Sequence, residues 1–156
     1  MEHWFRVQHL DIDRLLANWR WLCLGPKSLV ARSAFGDLFL RDETGEILHL
    51  DVAVGKLTKI AASEVEFRNL LGNPEKRDEW FGENDERGFA EKGLAPDRNQ
   101  CIGFYPPLSV KAGPGKSYLI DIYENVSFLG DFNQQIAEIP DGGKINLIVG
   151  ERPTSH

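Results

Sequence analysis

The run Phe35-Gly36-Asp37-Leu38-Phe39-Leu40, followed by Arg41-Asp42-Glu43-Thr44-Gly45 and then Ile47-Leu48-His49-Leu50-Asp51, constrains this chain more than any other. Two apolar segments of strand length flank a turn whose closing glycine suits positive φ, the pattern of an antiparallel hairpin. Asp51 to Lys56 gives a second turn, and Leu57-Thr58-Lys59-Ile60-Ala61 alternates as a third, half-exposed strand should. Three sequential strands with short connections predict an antiparallel meander.

Helices are expected around it. Asp11 or Asp13 can cap a first helix. Leu15, Leu16, Trp19, Leu22 and Cys23 fall on one helical face, and Gly25-Pro26 ends the segment. Ser63 to Glu66 reads as a capping box opening a helix through Leu71. Asn73-Pro74 opens another that runs through Phe81 and continues toward Gly93. Gln100 to Phe104 and Tyr118 to Tyr123 read as strands. Asn125 to Ile139 reads as a helix capped by Asn125, although Gly130 costs it about 1 kcal/mol relative to alanine. Lys144 to Gly150 is expected to be a last strand. The prediction is an α+β fold: a single domain, residues 1–156, with a central, mainly antiparallel meander packed by helices. Residues 1–10 are expected to form an N-terminal lead, and 151–156 a disordered tail.

Charge narrows the partners. The chain carries 24 acids against 18 bases, a net charge of −6. Nucleic acid and anionic membrane both demand a basic face, so neither is an expected ligand. A basic protein suits an acidic one. Between Glu75 and Lys92, seven acids face four bases, which places half the net charge in one stretch. The plain meaning of such a run is a solvated helical face. The functional meaning is a docking surface made of Glu75, Asp78, Glu79, Glu83, Asp85 and Glu86, with Trp80 or Phe81 as its anchor.

Catalytic and metal chemistry find little support. The four histidines, His3, His9, His49 and His156, have no metal-ligand spacing, and no metal or cofactor is expected. His49 could be oriented by Asp37 or Asp51, but nothing marks a nucleophile. Gly113-Pro114-Gly115-Lys116-Ser117 imitates the end of a phosphate loop, yet Pro114 removes a backbone donor that such a cradle needs. Cys23 and Cys101 lie in separate apolar runs and read as buried free thiols, which fits a reducing cytoplasm. The N-terminus has no signal-peptide pattern, and no stretch is long and apolar enough to span a bilayer.

The order of these features resembles a known family. A Trp-rich first helix precedes Ala34-Phe35-Gly36-Asp37-Leu38-Phe39-Leu40, then Gly45-Glu46-Ile47, Leu50-Asp51, Gly55 and Glu66-Phe67. Gly93-Leu94, Gln100-Cys101 and Pro106-Pro107 follow. This is similar to the C-terminal domain of type VI secretion DNase immunity proteins and, more loosely, to the SUKH immunity superfamily. The likeness spans roughly residues 11–149 and rests on apolar and turn residues, which report fold before function. Two features depart from the family pattern: few residues precede the first helix, and Leu108-Ser109-Val110-Lys111-Ala112-Gly113 replaces a Leu-Gly-Gly turn. The resemblance implies a non-catalytic immunity protein that binds a cognate, basic toxin in the cytoplasm, and it transfers no contact residues. Two other readings stand beside it. One is a SUKH-type adaptor for a cellular partner. The other is a small enzyme or ligand-binding domain with a pocket lined by Trp19, Trp21, His49 and Tyr105.

Overall fold

The hairpin is the middle of a four-stranded antiparallel sheet in the order β1-β2-β3-β4. The strands are β1 (Ser28–Arg32), β2 (Leu38–Arg41), β3 (Ile47–Asp51) and β4 (Lys56–Ala61). The computed structural model describes residues 1–108, 110 and 115–139. The strand expected at 144–150, the tail at 151–156 and most of the 109–116 loop lie outside the described residues.

Register pairs Leu38 with Leu50, Phe39 with His49, Leu40 with Leu48 and Arg41 with Ile47. The turn closes through Asp42, whose carboxylate accepts from the Thr44 hydroxyl (2.7 Å), the Thr44 N–H (2.9 Å) and the Glu46 N–H (3.0 Å). Those bonds, led by the Thr44 hydroxyl, hold the Asp42 carboxyl below its ordinary value. Gly36 and Gly45 both have positive φ, 90° and 89°, where a side chain would be strained.

Strand β2 explains its own composition. It lies between β1 and β3, and helices cover both faces of the sheet, so successive side chains enter different cores. Leu38 and Leu40 join an aliphatic cluster with Leu15, Leu16, Trp19, Leu50, Val126 and Leu129. Phe39 joins an aromatic cluster with Trp4, Phe67, Trp80 and Phe81. The fold is α+β, a single domain with a mainly antiparallel meander packed by helices.

On the aliphatic face lie α1 (Ile12–Leu16) and α5 (Ile122–Ala137). Helix α1 is shorter than expected. Asp11 caps it, and the chain then coils through turns that keep Trp19 and Cys23 inward. Asp121, not Asn125, caps α5 by accepting the Glu124 N–H at 3.1 Å. Gly130 has a positive role there: a Cβ at that position would lie 2.5 Å from the Asn18 carbonyl oxygen. Its helix penalty is the condition for α5 to approach that carbonyl closely. Trp19 Nε1 donates to the Val126 carbonyl (2.8 Å), and Asn133 Nδ2 donates to the Val52 carbonyl (3.0 Å).

The aromatic face is covered by α2 (Glu64–Leu70), α3 (Pro74–Phe81) and the short 3₁₀ turn Glu2–Phe5. The N-terminal lead packs on the fold: Trp4 is buried and stacks on Phe81 at 4.1 Å. Ser63 and Asn73 cap α2 and α3 as the sequence predicts. Gly82 ends α3, and α4 (Glu83–Glu91) starts directly after it at a new angle.

Strands β5 (Gln100–Tyr105) and β6 (Lys116–Asp121) form a separate antiparallel pair. The Ile102 N–H donates to the Ala34 carbonyl (2.8 Å) and joins this pair to the first sheet. Arg32 reinforces the junction. Its guanidinium is buried and donates to the carbonyls of Gln100 (2.6 Å), Ser33 (3.0 Å) and Arg98 (3.4 Å). Cys23 and Cys101 are free and buried, and burial pushes their thiols up to about 11 and about 12. Among the described residues, no helix is long and apolar enough to cross a membrane.

Candidate functional site

At the end of the sheet where β2 begins and β3 ends, the two helical layers diverge and leave a cleft of about 490 Å³. The turn before β2 contributes Ser33, Phe35 and Asp37, and the end of β3 with the turn after it contributes Asp51, Val52 and Ala53. One wall is the bend between α3 and α4, with Asp78, Glu79, Trp80, Phe81, Gly82, Asp85 and Phe89. Opposite stand Asn125, Phe128 and Leu129 of α5, with Ile102, Phe104, Pro107 and Leu108 between them.

The rings of Phe35, Phe89 and Phe104 pack on one another at centroid distances of 5.8 to 6.2 Å. Phe35 also lies against Gly82, where a Cβ would come within 3.0 Å of its ring. The α3–α4 bend is thus fitted directly to the hairpin. Such ring packing supplies a rigid apolar lining.

Five carboxylates stand on this lining: Asp37, Asp51, Asp78, Glu79 and Asp85. Among the described residues, no Lys, Arg or His lines the cleft itself, although His49 and Lys76 reach Asp37 and Glu79 from beside it. Their partners differ. Asp37 Oδ2 lies 2.8 Å from His49 Nε2, and its other oxygen accepts the Val52 N–H at 3.2 Å. Burial nonetheless pushes the Asp37 carboxyl above its ordinary value, against the opposing pull of His49. Asp51 accepts the Ala53 N–H (3.1 Å), and Asp78 accepts the Asn84 N–H (3.0 Å). Among the described residues Glu79 meets only Lys76, at 3.5 Å and largely in solvent. Asp85 is exposed and makes no hydrogen bond or ion pair among the described residues.

The seven docking residues expected from sequence therefore separate. Asp78, Glu79, Trp80 and Asp85 line the cleft. Trp80 is only 6% exposed, so it forms the wall and does not project as an anchor. Glu83 is turned to Arg77, with both oxygens 3.1 Å from Nε. Glu86 is held by the N-terminal turn: His3 Nε2 lies 2.6 Å away and Trp4 Nε1 donates at 2.8 Å. Glu75 is exposed and outside the cleft lining.

The sequence offers Asp37 and Asp51 only as orienting partners for His49. They face the same space as the α3–α4 acids. Asn125, Phe35, Phe89 and Phe104 were not singled out as site residues, and only long-range packing brings them together. The alternative pocket is not assembled in this cleft, whose lining includes none of Trp19, Trp21, His49 and Tyr105. Trp19 and Trp21 are bonded to backbone carbonyls of α5. His49 stacks on Phe39 at 4.6 Å and faces Asp37. The nearby Ser33 hydroxyl oxygen accepts two backbone N–H groups, from Phe35 and Asp37, each at 3.1 Å.

A second groove, of about 370 Å³, lies along β1 and the N-terminal segment, and carries Lys27, Arg41 and Arg68 with a single carboxylate, Glu64. Charge is thus segregated over the surface. No known family model matches the chain, and neither a curated protein nor a solved structure matches it.

Proposed function

We propose that this protein is a non-catalytic bacterial immunity protein that binds a basic, cognate secreted toxin in the cytoplasm and blocks its working surface. The observation that carries the reading is the cleft lined by five carboxylates and, among the described residues, no cation. A nuclease that grips phosphates must present lysines and arginines on its substrate face. A carboxylate-lined concavity is complementary to such a face and competes with nucleic acid for it. The family resemblance points the same way and narrows the toxin to a type VI secretion nuclease.

The test is co-expression with the neighbouring reading frame. The expected result is a neighbour toxic alone, harmless with this chain, and recovered in a complex that weakens as salt rises. A neighbour that is not toxic, or that forms no complex, overturns the reading. A housekeeping protein held at the cleft in its place would give the SUKH-type adaptor.

A further inference from the structure

The cleft's chemistry specifies its ligand more narrowly than its charge does. Asn125 lines it and is only 4% exposed. Its amide nitrogen serves the Cys101 sulfur, while its carbonyl oxygen has no protein partner among the described residues. That oxygen is not sealed from solvent, so it is an acceptor open to a donor entering the cleft. When ionised, the carboxylates around it can only accept. Between these acceptors the lining is flat aromatic surface, and the volume falls in the roughly 300–1,000 Å³ range of ligand pockets.

One common group offers several N–H donors, a positive charge and a planar face for stacking, the arginine guanidinium. An ammonium satisfies the charge but lacks the plane. We propose that this cleft is an arginine-binding pocket: it takes an arginine side chain of the partner, guanidinium between Asp78, Asp85 and Asn125, stem along Phe35 and Phe104. The proposal rests on the immunity reading for the identity of the partner, but not for the pocket itself.

The experiment titrates the full chain with blocked tri-arginine, tri-lysine and tri-glutamate peptides, by calorimetry and by amide chemical shifts. Tri-arginine is expected to saturate, with the shifts confined to the cleft, and to bind at least about fivefold more tightly than tri-lysine. Asp78→Asn with Asp85→Asn should weaken it by about tenfold or more, while Glu91→Gln, outside the cleft, should leave it unchanged. Both Asn replacements keep the shape of the side chain, and the amide spectrum reports folding directly. No saturable arginine binding, equal binding of tri-lysine, or indifference to the Asp78/Asp85 change would each overturn the pocket. If the toxin complex forms while tri-arginine fails, this inference falls and the immunity reading stands. If tri-arginine binds while no neighbour is toxic or complexed, the pocket stands and the immunity reading falls.

Discussion

The two faces of the sheet are covered by layers held in different ways. On the aliphatic face, polar groups are spent inward. Trp19, Trp21 and Asn18 donate to carbonyls of α5, and Asn133 of α5 donates to the Val52 carbonyl. On the aromatic face, stacking does most of the holding: Phe39 lies 4.3 Å from Phe81 and 5.5 Å from Phe67, and Trp4 covers Phe81. Stacking uses few polar groups, and the α3–α4 layer gives Asp78, Glu79 and Asp85 to the cleft while Glu83 bonds Arg77 and Glu86 bonds the N-terminal turn. One layer is fixed by buried hydrogen bonds and serves the fold. The other is fixed by ring contacts and can present charge.

The largest test of that division deletes one core side chain on each face. Leu50→Ala and Phe39→Ala should each destabilise by about 3–5 kcal/mol, read from urea unfolding. Their effect on the cleft should differ. Phe39 supports Phe81, which lines the cleft, so Phe39→Ala should also alter Trp80 fluorescence and weaken partner binding in the surviving native fraction. Leu50→Ala should leave both near wild type. Equal effects on binding would show that the two layers are not separable in this sense.

The same contrast explains what the sequence could disclose. The hairpin, the Ser63 and Asn73 caps, β5 and α5 were legible because local pattern and turn chemistry decide them. Strand β1 was not: Ser28 to Arg32 is short, follows Gly25-Pro26, and ends in an arginine that reads as surface but is buried on three carbonyls. Tertiary pairing with β2 makes it a strand. The first helix was read too long because the turns after Leu16 preserve inward spacing for Trp19 and Cys23. The acidic stretch was legible as charge, but its division among cleft, Arg77 and the N-terminal turn depends on Gly82 bending the chain between α3 and α4. The cleft joins residues from Ser33 to Leu129, and no local pattern contains that.

A smaller effect is expected where the N-terminal turn meets α4. Burial alone would raise the Glu86 carboxyl, but the bonds from His3 and Trp4 outweigh it and hold it below its ordinary value of 4.5. A depressed carboxyl stabilises fully above its unfolded pKa, and that contribution is lost as pH falls through the native value. Glu86→Gln should therefore cost about 1 kcal/mol at neutral pH and progressively less below about pH 4, measured by urea unfolding across pH. A penalty that persists undiminished into acid would assign the role of Glu86 to packing rather than to its charge.

Asp37 should show the opposite sign at the smallest amplitude. Its carboxyl is pushed above its ordinary value of 3.8, because burial outweighs the His49 contact. A raised carboxyl contributes stability that is full below the unfolded pKa and is lost as pH rises through the native value. Asparagine keeps an acceptor for the Val52 N–H, turns an amide donor toward His49 Nε2, and buries no charge. Asp37→Asn should therefore change stability by less than about 1 kcal/mol at neutral pH, since it removes a carboxyl that burial disfavours in its charged form while keeping the side-chain shape and the Val52 bond. Relative to wild type, the variant should gain stability as pH rises from the acid side, the reverse of the Glu86→Gln trend. Binding is the sharper readout. If Asp37 belongs to the recognising set, the variant loses affinity for a basic partner while its fold is unmoved. A loss of several kcal/mol in stability instead would make the Asp37–His49 pair a strut of the aromatic face, and would leave the recognition to the α3–α4 acids.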